Sequence, residues 1–301
     1  MFPESGAFSL LEHPDPDSSA QTCDKTTDPD ETVVDLGVLV KAKAYLSTTT
    51  AEDLSPETFL EQHCNLSEDE INHIYTGTMG QYQNGSWLAI RKGMVTASIS
   101  KRVCTRFETY KRDQEQGQVT NTSVLNKLIL EGSNLDRERL PAAIVYGLQN
   151  EEKAIDCYCE VLRQNHNNVK IQHCGLKVSK TYCFIGASAD GIASCSCHGQ
   201  HLIEVKAIEA HQDQSPNYAA QQRHCFLENG KWKLKKDSEF YYQIQMNLGL
   251  HEMDTCVLII YTNKGIRPVS VSFSKTFFTS MVEKIVKYYG YCFFPYMSSQ
   301  I

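Results

Sequence analysis

The chain has 301 residues, of which 41% are hydrophobic and 22% charged, so it is long enough to bury one large core or two smaller ones. It contains no run of about eighteen apolar residues, which excludes a transmembrane helix and a membrane partner. Its first residues lack the basic and apolar segments of a secretory signal, and its twelve cysteines are scattered through apolar stretches, which favours reduced thiols. We therefore expect an intracellular protein, in the nucleus or the cytoplasm, that is not secreted.

The charge is unevenly distributed along the chain. The net charge is −7, but residues 1–75 hold sixteen Asp and Glu against three Lys and Arg, a balance of −13. The other residues then hold twenty acidic and twenty-six basic side chains, a balance of +6. This asymmetry favours a phosphate-binding body with an acidic appendage.

The acidic appendage divides into two predicted parts. Residues 1–35 are rich in Pro, Asp, Ser and Thr, which predicts a disordered acidic segment. Residues 36–75 are predicted as an acidic helical arm, because Ser55 and Ser67 are N-cap residues followed by acidic first turns. We interpret the arm as surface helices or a binding site for a protein partner; the alternative is an arm that covers a nucleic-acid groove. The remaining domain spans residues 76–301.

A candidate anion site follows the arm. Trp87, Arg91 and Met94 recur at helical spacing, so Arg91 is expected near the apolar stripe. Thr96 and Ser98 are N-cap types ahead of a second helix, predicted over residues 99–105. An arginine beside a helix N-terminus is an anion site, and the alternative is an ordinary structural arginine.

The next long helix is predicted over residues 142–165. Its apolar stripe includes Ile155 and Tyr158, and Glu151 falls on the same inward face. A buried carboxylate needs a partner, whereas Glu152 points elsewhere and is expected in solvent. Glu151 could also lie merely at the edge of the stripe.

Strands are predicted over residues 169–178, 182–187 and 202–206. Asp190 follows the second of them, and Glu204 and Lys206 on the third share one face, because side chains alternate along a strand. Ile203, Val205 and Ala207 then point to the opposite, buried face.

The hairpin between Asp190 and Glu204 carries Cys195, Cys197 and His198. With His201 these side chains form a weak candidate for a zinc site, since the spacing lacks a clear second pair of ligands. The alternative is a loop that simply carries thiols.

The last third of the chain alternates again between strands and helices. Residues 231–236 predict an edge strand or hairpin with a basic face, and residues 238–250 a helix. On that helix Tyr241, Gln245 and Leu248 share the inward face, whereas Gln243 lies about 160° away. Strands at 255–262 and 269–274 and a helix at 276–289 complete a mixed α/β fold, with a central mixed β-sheet flanked by helices.

Three carboxylates should meet at one end of this sheet: Glu151, Asp190 and Glu204. At ~5 Å and an effective dielectric of ~20, each pair repels by roughly 3 kcal/mol, so a proton or a cation must bind. Oxygen ligands favour Mg²⁺ or Mn²⁺. Such a site, with Lys206 and Gln245 nearby, suits phosphodiester hydrolysis.

The ordered set of motifs resembles the YqaJ-type viral recombinase family, the phage-lambda-exonuclease-like branch of the PD-(D/E)XK nucleases, and in particular its animal or mobile-element-derived members. The resemblance spans about residues 80–295, with Ala189 in place of the frequent Pro and Ala207-Ile208 in place of Cys-Pro. The set consists of Trp87-x3-Arg91-x-Gly93-x2-Thr96-Ala97-Ser98, Gly147-x3-Glu151-x2-Ala154, Ser188-x-Asp190-Gly191, Glu204-x-Lys206 and Tyr241-Tyr242-Gln243-Ile244-Gln245.

The resemblance implies a restriction-endonuclease-like core and 5′-to-3′ digestion of double-stranded DNA ends with Mg²⁺ (or Mn²⁺), releasing 5′-phosphomonoesters. Asp190, Glu204 and the Val205 carbonyl would bind the metal, with Glu151 acting directly or through water. The family also implies a homo-oligomeric ring. The alternatives are a catalytically silent binding protein and an endonuclease or RNA-directed nuclease on the same fold. The remaining implied roles are Lys206 and Gln245 at the nucleophile and scissile phosphate, and Arg91, Thr96 and Ser98 at a terminal 5′-phosphate.

Overall fold

The computed structural model describes residues 27–132 and 140–301. Most of the segment predicted as disordered, residues 1–35, lies outside the described residues. Its last part is ordered, because residues 31–34 form a helix in which Val33 is fully buried. Among the described residues, no helix is long and apolar enough to cross a membrane.

Helices dominate both ends of the described chain, and several begin at the predicted caps. Ser55, Ser67 and Ser238 each accept a hydrogen bond from the first turn of the helix that follows. The helices are α1 (Glu31–Val34), α2 (Val38–Thr48), α3 (Pro56–Gln62), α4 (Glu68–Gly77), α5 (Gly85–Ile90), α6 (Ser100–Glu115), α7 (Ser123–Glu131), α8 (Ala142–Asn165), α9 (Pro216–Arg223), α10 (Glu239–His251), α11 (Lys275–Tyr288) and α12 (Phe294–Ser298).

The strands form one mixed central sheet and two smaller sheets. The central sheet has the order β10-β9-β6-β5-β2, in which β6 and β9 are parallel and the other pairs antiparallel. A three-stranded sheet has the order β1-β4-β3, and β7 and β8 form a hairpin. The strands are β1 (Val95–Thr96), β2 (Lys170–Gln172), β3 (Lys177–Val178), β4 (Ile185–Ala187), β5 (Gly191–Cys195), β6 (Gly199–Ala207), β7 (Cys225–Glu228), β8 (Lys231–Leu234), β9 (Thr255–Thr262) and β10 (Gly265–Ser272).

The two faces of the central sheet pack against different helices, as strand alternation requires. Ile203 and Val205 of β6 lie in a hydrophobic cluster with Ile155 and Tyr158 of α8. Leu202, from the opposite face of β6, lies in a second cluster with residues of α10. Because Glu204 and Lys206 alternate with the α8-facing residues, their side chains share the α10 side of the sheet.

The helices of residues 36–75 do not form a separate arm. Val38, Tyr45, Phe59 and Ile74 are buried in the same hydrophobic cluster as residues of α6, β4 and α11. The rings of Tyr45 and Phe59 lie 6.3 Å and 5.2 Å from the ring of Phe294 near the C-terminus. The acidic residues of this segment therefore cover the outside of helices whose inner faces are core.

Three predicted elements differ in extent. The strand predicted over residues 169–178 is two short strands, β2 and β3, in different sheets. Between them Gly175 lies against α4, where a β-carbon would come within 1.9 Å of the Tyr75 carbonyl oxygen, so the chain must bend at a glycine. The hairpin predicted between Asp190 and Glu204 is present, and its first strand, for which no bounds are predicted, is β5. The helix predicted over residues 99–105 continues to Glu115, and its N-cap is Ile99 rather than Thr96 or Ser98.

Candidate active site

One pocket of about 410 Å³ brings together residues from α5, α8, β6 and α10. It is lined by all three predicted carboxylates and by Lys206. The residues predicted for a terminal phosphate line the same pocket: Arg91, Thr96 and Ser98.

Asp190 is held against the backbone of the neighbouring strand. It directly precedes β5, and the pairing of Gly191 with Ile203 sets it beside Glu204. Its Oδ2 accepts a hydrogen bond of 2.6 Å from the Val205 N–H. Burial raises the pKa of the Asp190 carboxyl, although Lys206 and the Val205 N–H act in the opposite direction.

Glu204 is a fully buried carboxylate surrounded by donors. Its Oε1 accepts hydrogen bonds from Lys206 Nζ at 2.7 Å and Gln243 Nε2 at 2.5 Å, and its Oε2 accepts one from Asn247 Nδ2 at 2.9 Å. Burial, followed by the charge of Asp190, still raises the pKa of Glu204 to about 8. Glu204 and Lys206 lie on one face of β6, as predicted, and their side chains are in direct contact.

Glu151 completes the group from α8, where it is half-buried and lines the pocket. Burial and the charge of Asp190 raise the pKa of Glu151 to about 8, against the opposing effect of Lys206. Its neighbour Glu152 is exposed, as predicted. The inward position of Glu151 on the helix is confirmed.

Lys206 supplies positive charge among these carboxylates. Burial alone would lower the pKa of its ammonium, but Glu204 and Asp190 outweigh burial and raise the pKa. Its Nζ also lies 5.3 Å from the centre of the Phe240 ring. Lys206 is therefore protonated at neutral pH and oriented toward Glu204.

The donor set fits a hard divalent cation. Three carboxyl groups share one pocket, and burial, the largest cause, raises the pKa of each of them, although the charge of Lys206 acts in the opposite direction. Carboxylate oxygens are the ligands that Mg²⁺ and Mn²⁺ prefer. Asp190, Glu204, Glu151 and the Val205 carbonyl are the residues that could hold such an ion.

The prediction that Gln245 lies beside the carboxylates is wrong. Gln245 is fully buried, but its Nε2 donates to the Ser272 carbonyl and its Oε1 accepts from the Ser274 N–H, so it fastens α10 to the end of β10. Gln243, which was predicted to point away, lies in the pocket and contacts Glu204.

Asn247, the second donor on α10, is not among the predicted site residues. It lies one helical turn after Gln243, so the two amides reach the two oxygens of Glu204 from the same face of the helix. The signal in the sequence is this i,i+4 pair of amides in a helix that follows a strand with a buried carboxylate.

The predicted phosphate pocket is built on an aromatic surface. The guanidinium carbon of Arg91 lies 3.7 Å from the centre of the Trp87 ring, and Trp87 Nε1 donates to Ser188 Oγ at 2.9 Å, two residues before Asp190. Burial lowers the pKa of Arg91 to about 10, so the side chain stays charged at neutral pH. The hydroxyls of Thr96 and Ser98 are 3.3 Å apart.

The cysteine hairpin gathers its own cluster away from this pocket. Cys195, Cys197 and His198 lie beside His166, which directly follows α8. His201 does not join them, because its Nε2 lies 2.9 Å from the Tyr158 hydroxyl.

Residues 86–254, more than half of the chain, match the model of the YqaJ-like viral recombinase domain. The chain belongs to this family. The predicted family is thereby confirmed and, with it, the prediction of a nuclease. A comparison with curated protein sequences found no match.

Solved structures that resemble this chain are distant from it in sequence. A KSHV SOX–RNA complex is 9% identical to this chain with a TM-score of 0.52, and the match covers 89% of this chain and 96% of the other chain. A SOX–DNA complex is 10% identical with a TM-score of 0.50, and covers 89% and 93%. An alkaline exonuclease from Laribacter hongkongensis is 16% identical with a TM-score of 0.46, and covers 71% and 92%. The predicted fold class is confirmed.

Proposed function

We propose that this YqaJ-like chain is a divalent-metal-dependent deoxyribonuclease that digests duplex DNA from 5′ ends and releases 5′-phosphomonoesters. The observation that carries the proposal is the single pocket in which Glu151, Asp190, Glu204 and Lys206 lie beside a buried, charged Arg91. The first four side chains suit hydrolysis of a phosphodiester, and Arg91 gives the pocket a place for a terminal phosphate.

The shared pocket and the resemblance to the family support the following roles. Asp190, Glu204 and the Val205 carbonyl would hold Mg²⁺ or Mn²⁺, with Glu151 as a direct or water-mediated ligand. When bound, such an ion polarises the phosphate and lowers the pKa of a water. Lys206 keeps its proton beside Glu204, so its charge is available to the scissile phosphate.

The amides on α10 act on Glu204 rather than on the substrate. Gln243 and Asn247 donate to different oxygens of this carboxylate and thereby fix the direction of its free lone pairs. Fixed ligand orientation is what a neighbouring shell of hydrogen bonds contributes to a metal site.

RNA is a second candidate substrate. One solved structure of the same fold is a complex with RNA, and another is a complex with DNA. The carboxylates and Lys206 act on a phosphodiester that both polymers share, so the pocket favours neither by itself.

A cleavage assay with labelled polymers tests the proposal. We expect the full chain to shorten linear duplex DNA in Mg²⁺ or Mn²⁺, to leave closed circles intact, and to be inactive with EDTA. Asp190→Asn, which keeps the shape but removes the charge, should lower the rate at least about 10³-fold. Intact linear DNA in both metals would refute the nuclease, circles cut as fast as linear DNA would refute the exonuclease, and faster cleavage of matched RNA would favour the second candidate.

The end preference is tested by Arg91→Ala. The wild-type chain should digest 5′-phosphate ends faster than 5′-hydroxyl ends, and the variant should bring the two rates closer, since the guanidinium that binds the phosphate is gone. The ratio of the two rates is measured in one preparation, so a partly unfolded sample does not alter it. An unchanged ratio would remove Arg91 from end recognition.

Three further expectations stay predictions: a homo-oligomeric ring around DNA, a protein partner for the acidic N-terminal surface, and residence in the nucleus or cytoplasm. Light scattering of the full chain, alone and with duplex DNA, would measure the first.

A further inference from the structure

We propose a zinc site formed by His166, Cys195, Cys197 and His198, separate from the carboxylate pocket. His166 caps the C-terminal end of α8, Cys195 is the last residue of β5, and Cys197 and His198 lie in the turn that connects β5 to β6. One ligand atom of each lies within 4.8 Å of all the others. The second ligand pair that the sequence spacing lacked is completed by a residue 29 positions before Cys195.

Four of the six separations between these atoms are close to those of a tetrahedral zinc shell. Zn–S bonds of about 2.3 Å and Zn–N bonds of about 2.05 Å place neighbouring ligands about 3.3 Å (N–N), 3.6 Å (N–S) and 3.8 Å (S–S) apart. His166 Nδ1 lies 3.1 Å from His198 Nδ1 and 3.2 Å from Cys197 Sγ. It lies 3.8 Å from Cys195 Sγ, and the two sulfurs are 3.5 Å apart.

The backbone brings the two segments together independently of a metal. The Ser196 N–H and hydroxyl both donate to the Asn167 carbonyl at 3.1 Å, so the turn is fastened to the residues that follow α8. Gly199 closes the turn with a φ of +78°, a conformation that costs glycine little. The ligands are therefore positioned in advance, which lowers the entropy lost when an ion binds.

The chemistry of the donors selects zinc over the ion of the catalytic pocket. Two thiolates and two imidazoles suit Zn²⁺, whereas Mg²⁺ and Mn²⁺ prefer oxygen. Two thiolates also neutralise the charge of the ion. Four protein ligands leave no position for water or substrate, so the site would stabilise structure rather than catalyse.

Its place in the fold gives the ion a consequence for the nuclease. The turn joins the strands next to Asp190 and Glu204, and His166 ends the helix that carries Glu151. Zinc would therefore link, at their far ends, the two units that supply the three carboxylates. This consequence rests on the proposed function, whereas the zinc site itself does not.

Metal analysis of the full chain tests the site directly. Protein expressed with added zinc and passed through a desalting column should retain about one zinc per chain. Cys197→Ser, at an exposed position, should lose most of that zinc, while the control Cys159→Ser, on α8 outside the cluster, should keep it. Cobalt bound in place of zinc should give the absorption of a tetrahedral thiolate complex in the wild type and not in Cys197→Ser. Wild-type protein without zinc, a Cys195–Cys197 disulfide, or zinc retained by Cys197→Ser would each overturn the proposal.

The link to the catalytic elements has its own measurement. Removing zinc with a thiol-compatible chelator should lower the melting temperature of the wild type and leave that of Cys197→Ser unchanged. An unchanged wild-type melting temperature would refute the linking role. Zinc content is measured without DNA, so an inactive protein with one zinc refutes only the nuclease, and an active protein without zinc refutes only the zinc site.

Discussion

At the scale of single residues, the position of Glu204 decides what the pocket can do. A buried carboxylate that accepts hydrogen bonds from an ammonium and two amides is fixed in direction. The same donors lower its pKa, but burial and Asp190 prevail and raise the pKa to about 8. Glu204 is therefore paired with Lys206 and held in a fixed orientation from which it could bind a metal ion.

Gln243 and Gln245 should give opposite phenotypes. We expect Gln243→Ala to lower DNA cleavage about ten- to hundredfold with little change in the free energy of unfolding, because the amide orients a ligand. Gln245→Ala should lower the free energy of unfolding by about 1–3 kcal/mol, because it leaves the Ser272 carbonyl and the Ser274 N–H unsatisfied. Denaturant unfolding and single-turnover cleavage measure the two effects. Equal loss of activity per folded molecule in both variants would contradict the assignment.

These two glutamines also show which side-chain directions can be predicted from periodicity in the sequence and which cannot. A strand alternates between two faces, so the common face of Glu204 and Lys206 was predictable. A helix gives only relative angles, and α10 is packed on more than one side: against the sheet through Ile244 and against the end of β10 through Gln245. Which polar residue faces the carboxylates then depends on the angle at which α10 crosses the sheet, which no local pattern contains.

At the scale of secondary-structure elements, the long amphipathic and the fully apolar segments were predictable. The bounds of α8 and β9 are those predicted. The apolar stripe of α8 keeps a helical period over 24 residues, and β9 is an apolar run of eight residues, so neither pattern indicates another type of element. Short strands were not predictable, because β1 and β3 have two residues each and are fixed by their partners. The sequence predicts an arm for the acidic N-terminal helices, because their many charged residues make a narrow apolar face difficult to recognise.

Phe59→Ala tests whether those helices belong to the core. Phe59 is fully buried against Tyr45 and Phe294, so its truncation should lower the free energy of unfolding by about 3–5 kcal/mol. The matched control is Glu61→Ala on the same helix, an exposed position where a change within about 0.5 kcal/mol is expected. Urea denaturation of the full chain measures both. A loss below about 1 kcal/mol for Phe59→Ala would favour a detachable arm.

At the scale of the whole molecule, buried titratable groups make stability depend on pH in two opposing ways. Burial lowers the pKa of His201 and His251 to about 4. The folded chain keeps both side chains neutral where the unfolded chain protonates them, so stability is lost as the pH falls below about 6.5. The pKa values of Glu151 and Glu204 are raised to about 8 by burial and by Asp190, so the folded chain binds more protons than the unfolded chain above about pH 4.5. Of these four groups, only the carboxyl groups still change their protonation between about pH 6.5 and 8, and their contribution to stability falls as the pH rises.

Magnesium should reverse this decline. An ion that displaces the carboxyl protons binds more tightly at high pH, and a ligand that binds only the folded state raises its stability. We expect the rise in melting temperature on adding Mg²⁺ to be larger at about pH 9 than at about pH 6, where protons occupy the carboxylates. The control Glu151→Gln, which removes one of these protons, should weaken the pH dependence of the metal-free protein. A magnesium effect that is equal at both pH values, or larger at about pH 6, would show that the three carboxylates do not bind the ion.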